Sequence, residues 1–309
     1  QAQFDYGCDG DRYIDPVIIN YGQDEIKYGR NINPAGDSVD LFMDVYYPES
    51  DPVDARPLVV LAHGGSFIGG NRGDMEDYCI RLAERGYVAA TVDYRLLSIL
   101  NGIPDSIKAM DIAIKASHDM KGAIRWFKHN AIEDGNTYNV DPEMIFIGGY
   151  SAGAITACVA GLVDEEDVDL PFLTEIIENN GGYEGNTGDP AHFIYDTEVR
   201  GILSLSGAVY DTSWITASDP LIYSLHGTAD NIVPYNKGFA VVFGFEIVPL
   251  YGSGSIGLRQ QSLNLGGSLF TVEGGGHTDI YFEPSYENTR NQFLAETDAA
   301  FADIICGVI

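Results

Sequence analysis

The chain has 309 residues, 45% of them hydrophobic, which is enough for one large α/β domain. Its 17 basic and 46 acidic residues give a formal charge of -29, so we expect neither nucleic acid nor an anionic membrane as a partner. No apolar run approaches the roughly 20 residues that cross a bilayer, which predicts a soluble protein without membrane insertion.

Short apolar runs alternate with helical patterns along the chain. Strands are predicted at 39–47, 57–63, 87–94, 144–150, 199–206, 221–226 and 268–272. Helices are predicted at about 73–85 and 107–130, directly after 151, and at about 288–305. This alternation predicts an α/β fold with a mostly parallel sheet covered by helices on both faces.

Two segments, 163–198 and 240–266, fit no compact connection between a strand and a helix. We treat residues 1–36 as an N-terminal extension, and residues 163–198 and 240–266 as insert loops that shape a substrate site. Because Gly and Pro are spread evenly and no repeat occurs, we expect residues 1–309 to form a single domain.

The pattern GYSAG at residues 149–153 follows one predicted strand and precedes an apolar helix. Such a turn is typical of a nucleophile elbow, in which Ser151 is exposed at a helix N-terminus and the flanking glycines leave room for neighbouring backbone. The alternative is an ordinary Gly-rich helix start. The strand and helix on either side favour Ser151 as the nucleophile.

A second Gly-rich pattern, HGGSF at residues 63–67, ends the strand at 57–63. Backbone without a Cβ can approach a substrate carbonyl, so we predict an oxyanion hole made by the amides of Gly65, Ser66 and Ala152. The alternative is a plain turn. We expect His63 to anchor this loop through a hydrogen bond rather than to carry a proton.

Two further patterns, HGTADNIVP and GGGH, place Asp230 and His277 directly after predicted strands. An imidazole titrates near neutral pH and can take the proton of a serine, while a carboxylate orients it. Asp219 and Asp279 are weaker candidates for the acid. The remaining histidines lack such a context, and His226 is interpreted as a packed residue at a strand end.

These four motifs, in this order, resemble those of the esterase and lipase branch of the α/β-hydrolase superfamily. The chain resembles bacterial carboxylesterases near the hormone-sensitive-lipase and type-B groups, although Ser66 replaces a glycine and Tyr150 an acidic residue of their patterns. The resemblance covers about residues 37–305. It implies an α/β-hydrolase fold with about eight strands, and a serine carboxylesterase without a cofactor.

The acidic charge and the predicted oxyanion hole favour small neutral esters of short to medium acyl chain as substrates, cleaved through an acyl-serine intermediate. Alternatives are a polysaccharide-side-chain esterase such as a feruloyl or acetylxylan esterase, a peptidase, and a binding module of the same fold. Candidate pocket residues are Phe67, Tyr150, Trp214 and Tyr251. We expect no metal site, and interpret the acidic run at 164–169 as a solvated loop rather than a Ca²⁺ site.

The four cysteines have neither CxxC spacing nor a histidine that would indicate zinc. We expect a disulfide between Cys8 and Cys79, with Cys158 and Cys306 as buried thiols, because Cys79 is expected near the surface and Cys306 in a packed helix. The alternative is four reduced thiols. A disulfide, and a first residue other than Met, favour a secreted or periplasmic protein.

Overall fold

The structure is a computed structural model, which describes residues 5–8, 10–98, 100, 102–165 and 171–307. The strands are β1 (Tyr21–Ile32), β2 (Ser38–Pro48), β3 (Arg56–Ala62), β4 (Val88–Val92), β5 (Val140–Tyr150), β6 (Gly201–Leu205), β7 (Ala208–Val209), β8 (Leu221–Gly227), β9 (Lys237–Val242), β10 (Phe245–Gly252) and β11 (Ser268–Val272). The α-helices are α1 (Glu76–Ala83), α2 (Ser106–Ile132), α3 (Ala152–Leu162), α4 (Pro171–Asn179), α5 (Ser253–Ser262), α6 (Asp279–Phe282) and α7 (Glu287–Ile305).

Eight strands form one sheet in the order β1-β2-β4-β3-β5-β6-β8-β11. The pairings are parallel from β4 through to β11, while β1 and β2 are antiparallel at one edge. The predicted mostly parallel sheet of about eight strands is therefore confirmed. A second small sheet contains β7, β10 and β9.

The central strands are continuous apolar runs because both faces of the sheet are covered. In β3, Leu58, Val60 and Ala62 belong to the core shared with α2 and α3. Val59 and Leu61 belong to the opposite core, which is shared with α1 and α7. Side chains alternate across a strand, so each strand supplies both cores. Within the described ranges we find no helix whose length and apolar content suit a membrane span.

The cysteine pairing differs from the prediction, because Cys8 is bonded to Cys306 rather than to Cys79. Cys79 is fully buried, since Met75, Cys79 and Leu82 recur at helical spacing and face the sheet. Cys306 instead lies at the C-terminal cap of α7, half-buried and within reach of the N-terminal segment. Cys158 is a buried thiol, as predicted.

The segment 1–36 is not simply an extension, because residues 21–32 form β1 at the edge of the sheet. This strand pairs with β2 along its whole length but carries charged residues, including Asp24, Glu25, Lys27 and Arg30. Charges on an edge strand oppose pairing with another chain. They also hide the apolar alternation by which a strand is recognised in a sequence, which explains why this strand was not predicted.

Residues 171–198 lie against α2 and are held there by a row of buried cations on that helix. Lys121 donates to the carbonyl of Tyr183, Arg125 to the carbonyl of Glu184, and Lys128 to the carboxylate of Asp196 at 2.6 Å. Burying a cation is costly unless it is paired, so these contacts fix the position of the segment.

Residues 240–266 were expected to be an irregular loop, and this expectation is wrong. They contain the end of β9, all of β10 and helix α5. β9 and β10 form an antiparallel hairpin with a two-residue turn at Phe243 and Gly244, both of which have positive φ angles. Because one face of the hairpin is apolar, it packs over the carboxyl edge of the main sheet.

Candidate active site

Ser151 lies in the turn between β5 and α3. Its backbone has φ 54° and ψ -122°, a conformation that non-glycine residues rarely adopt. The turn is tight enough that a Cβ on Gly149 or Gly153 would collide with the carbonyl oxygen of Ala62 on β3. The glycines therefore allow β5 and α3 to approach β3 closely, and the serine hydroxyl is directed away from the sheet.

His277 lies between Ser151 and Asp230. Its Nε2 is 2.8 Å from the Oγ of Ser151, and its Nδ1 is 2.6 Å from the Oδ2 of Asp230. Asp230 follows β8 and His277 follows β11, so the parallel strands β5, β8 and β11 bring the three side chains to one edge of the sheet. This arrangement has the geometry of a Ser-His-Asp triad.

The carboxylate of Asp230 accepts four hydrogen bonds. Its Oδ1 accepts the amides of Ile232 and Val233, and its Oδ2 contacts His277 and also the Nε2 of His226 at 3.1 Å. Burial acts to raise the pKa of Asp230, but hydrogen bonds from the two histidines outweigh it and hold the pKa well below its usual range. Asp230 is therefore ionised throughout the neutral and mildly acidic range.

The loop at 63–67 lies beside Ser151. Gly65, Ser66 and Phe67 have φ angles of 113°, 54° and 60°, and a Cβ on Gly65 would meet the backbone of Gly69. No described residue accepts a hydrogen bond from the amides of Gly65, Ser66 or Ala152, so these three donors are free to bind a ligand.

His63 is buried next to this loop. Its Nδ1 is 2.7 Å from the carbonyl oxygen of Gly64, and its ring stacks on Tyr94 with 4.3 Å between centroids. Burial lowers the pKa of His63, so the imidazole is neutral at pH 7. These contacts fit the predicted anchoring role.

An apolar cavity opens at Ser151. Its volume is about 90 Å³, several times the roughly 10–15 Å³ that a single water molecule requires. Ser66 and Ala152 line it together with side chains from α2, α3, α4 and the hairpin, among them Met110, Ile114, Ile155, Leu173, Ala240, Val248 and Leu250. A cavity lined in this way binds hydrocarbon in preference to charged groups.

Only half of the predicted pocket residues line this cavity. Phe67 and Trp214 do, whereas Tyr150 and Tyr251 are not among its lining residues. The ring of Tyr150 packs over Gly64 and against Tyr281. Tyr251 pairs with Lys237 in the hairpin register, and the Nζ of Lys237 donates to its hydroxyl at 2.8 Å.

Asp230, and neither of the weaker candidates for the acid, is hydrogen-bonded to the imidazole of His277. Asp279 accepts the amide of Gly276, and Asp219 accepts the amide of Thr216. His226 is buried as predicted, but its hydrogen bond to Asp230 was missed. The contact depends on the exact turn that follows β8, so the spacing in HGTAD alone does not reveal it.

The acidic run at 164–169 falls largely outside the described residues, which include only Asp164 and Glu165 of it. Elsewhere in the described ranges we find no group of three or more His, Cys, Asp or Glu side chains that could hold a metal ion.

Comparison with known proteins gives a consistent set of relatives. The family model described as BD-FAE matches residues 43–187. A probable isoprenylcysteine alpha-carbonyl methylesterase of Oryza sativa subsp. japonica is 27% identical over 277 residues, which cover 82% of this chain and 58% of that protein. Esterase LipC of Mycobacterium tuberculosis is 25% identical over 227 residues, or 67% of this chain and 52% of that protein. The chain thus spans just over half the length of these relatives.

Solved structures of Thermogutta terrifontis esterase 2 are similar over nearly the whole chain. The apo form has a TM-score of 0.64 at 21% sequence identity, covering 92% of this chain and 95% of that one. A propionate-bound form has a TM-score of 0.63, also at 21% identity, covering 92% of this chain and 94% of that one. At this level of identity the likeness concerns the fold, which is the α/β-hydrolase fold.

Proposed function

We propose that this chain, which has the α/β-hydrolase fold, is a serine carboxylic ester hydrolase with Ser151, His277 and Asp230 as its catalytic residues. The observation that carries the proposal is the unbroken series of hydrogen bonds from the Oγ of Ser151 through both nitrogens of His277 to Asp230. The esterase names of several relatives point in the same direction.

In the acylation step, the Oγ of Ser151 attacks the ester carbonyl while the Nε2 of His277 takes the hydroxyl proton. The oxyanion of the tetrahedral intermediate accepts hydrogen bonds from the amides of Gly65, Ser66 and Ala152. The C–O bond to the alcohol then breaks, and the proton on Nε2 passes to the leaving alkoxide. The product of this half-reaction is an acyl-serine and a free alcohol.

In the deacylation step, the Nε2 of His277 takes a proton from water as the water attacks the acyl carbonyl. The second tetrahedral intermediate collapses, the bond to Ser151 breaks, and the proton returns to the serine oxygen. Asp230 remains ionised throughout, because its low pKa keeps it a carboxylate that stabilises the imidazolium.

The substrates are neutral esters of short to medium acyl chain. The acyl group enters the cavity at Ser151, whose lining offers no countercharge to an acidic acyl group. A volume of about 90 Å³ suits a short chain better than a palmitoyl group.

We also propose that residues 1–309 form a single domain, in which residues 163–198 and 240–266 shape the substrate site. We further propose that the protein is secreted or periplasmic and acts outside the cytosol. The bond between Cys8 and Cys306 supports this location, because disulfides persist in oxidising compartments.

The test is a series of p-nitrophenyl esters from acetate to palmitate, run beside methyl ferulate and acetylated xylan. We expect the highest kcat/KM between acetate and octanoate. A serine-directed organophosphonate should label one site, and mass spectrometry should find the adduct on the peptide that contains Ser151. Labelling of a different residue, or no hydrolysis of any ester, contradicts the proposal.

A further inference from the structure

We propose that His226 is a positioning residue for the catalytic acid, a second imidazole that holds Asp230 on the side opposite His277. The inference rests on the proposed function, since it concerns the triad of that reaction. His226 is the penultimate residue of β8, four residues before Asp230, and both side chains are fully buried.

Both histidines contact the same oxygen atom. The Nδ1 of His277 is 2.6 Å and the Nε2 of His226 is 3.1 Å from Oδ2 of Asp230, while Oδ1 is occupied by two backbone amides. An ionised carboxyl group has about four acceptor positions, so all of them are used. Without His226 the oxygen that orients His277 would have one partner fewer, and the carboxyl group could rotate.

The tautomer of His226 follows from the group on its other side. The backbone N–H of Ser253 points at Nδ1 from 3.4 Å, and the hydroxyl of Ser253 is 2.9 Å from the same nitrogen. A backbone N–H can only donate, so Nδ1 is the acceptor and the ring proton lies on Nε2. The Nε2 proton then faces Asp230 and the carbonyl oxygen of Val233, which are both acceptors.

This contact also connects the triad to the wall of the cavity. Ser253 is the first residue of α5 and directly follows β10, whose Ile247, Val248 and Leu250 line the cavity. The hydroxyl of Ser253 also lies 3.3 Å from the carbonyl oxygen of Gly207, next to β7. His226 therefore holds Asp230 in a fixed relation to the hairpin.

His226→Asn and His226→Gln form a matched pair of test variants. Both carry an amide, but only the longer Gln places its NH₂ group near the position of Nε2, whereas Asn keeps an acceptor for Ser253. We expect His226→Asn to lower kcat by about 10- to 100-fold with little change in KM, because the acid is no longer held in place. His226→Gln should recover most of that loss.

The pH profile separates positioning from a general loss of structure. Because a carboxyl group that is held less firmly stabilises the protonated base less well, the acid limb of kcat/KM should move to lower pH in His226→Asn. His118→Gln, which replaces a buried histidine on α2, is the control and should leave the limb in place. The inference would be overturned if both His226 variants lost the same fraction of kcat and the acid limb of kcat/KM stayed at its wild-type pH.

A measurement on the wild-type protein tests the inference without requiring that the variants fold. ¹⁵N chemical shifts of the histidine rings report which nitrogen carries the proton, and we expect Nε2–H for His226. A proton on Nδ1 overturns the inference. Activity that disappears in Ser151→Ala but persists unchanged in both His226 variants also overturns it, while the proposed ester hydrolysis stands.

Discussion

In the proposed mechanism Ser151 and His277 act as one unit, because the serine is a weak nucleophile until the imidazole removes its proton. We expect Ser151→Ala and His277→Ala each to lower kcat on a p-nitrophenyl ester by about 10^4-fold or more. Asp230→Asn should cost less, since the base remains in place but loses its charged partner. Steady-state kinetics of the purified variants test these expectations, provided that their melting temperatures are unchanged. A near-wild-type kcat in Asp230→Asn would exclude Asp230 as the acid.

His118 makes the fold sensitive to acid. Burial, with the nearby Lys121, Arg95 and Arg125, lowers the pKa of His118 to about 3, whereas in the unfolded chain it is about 6.5. Between these values the unfolded state binds the proton and the folded state does not, so stability falls as the pH drops below about 6.5. The loss from this group between pH 7 and pH 5 is about 2 kcal/mol.

The comparison of wild type with His118→Gln isolates this contribution from that of the many carboxylates. We expect urea unfolding to show a decrease in stability from pH 7 to pH 5 that is about 2 kcal/mol smaller in the variant. Equal decreases in the two proteins would mean that His118 is already protonated in the folded state, and that its burial is not the cause of the acid sensitivity.

The hairpin of β9 and β10 sets the depth of the cavity. Ala240 and Val248 are opposite each other in its register, and both line the cavity. Ala240→Phe should fill the space beyond the first carbons of the acyl chain, lowering kcat/KM for octanoate by at least about tenfold and leaving acetate nearly unchanged. Phe239→Ala, on the exposed alternate position of the same strand, should keep the wild-type ranking.

The sequence was sufficient to predict the strands that are buried on both faces and the tight turn at Ser151. β3 and β5 are buried on both faces and read as apolar runs, and the turn at Ser151 has the glycines that its close contact with β3 requires. The triad positions followed from their places after strands. β1 could not be recognised because an edge strand tolerates charge, and the hairpin was hidden because its Gly and Pro residues resemble those of a loop.

The cavity lining and the disulfide were beyond prediction for a different reason. Which aromatic side chain faces the cavity depends on the packing of distant elements: Tyr150 follows β5 but turns toward Gly64, away from the acyl site. The hydrogen bond between His226 and Asp230 likewise depends on the exact turn after β8. The burial of Cys79 is the exception. It could have been predicted from the sequence, because Met75, Cys79 and Leu82 recur at helical spacing and therefore share one face.

The charge of the whole molecule bears on which esters reach the site. With a formal charge of -29, the protein repels anions over most of its surface. We expect kcat/KM for a p-nitrophenyl hemisuccinate to lie well below that for the butyrate ester, and the gap to narrow as NaCl rises from about 10 mM to 500 mM, where charges are screened. A gap that does not change with salt would assign the discrimination to the cavity alone.

The bond between Cys8 and Cys306 joins residues 298 positions apart, so it closes a loop over almost the whole chain. Cross-links over long loops restrict the unfolded chain most, and the chain-entropy model gives a stabilisation of about 6 kcal/mol for this one. We expect Cys8→Ser/Cys306→Ser to unfold at a clearly lower urea concentration than the wild type. A reductant should destabilise the wild type toward the same midpoint and leave the double variant unchanged, because Cys79 and Cys158 are buried thiols outside any disulfide. Peptide mapping without reduction should recover the linked pair, and alkylation of both Cys8 and Cys306 in the unreduced protein would remove both the cross-link and the main support for a location outside the cytosol.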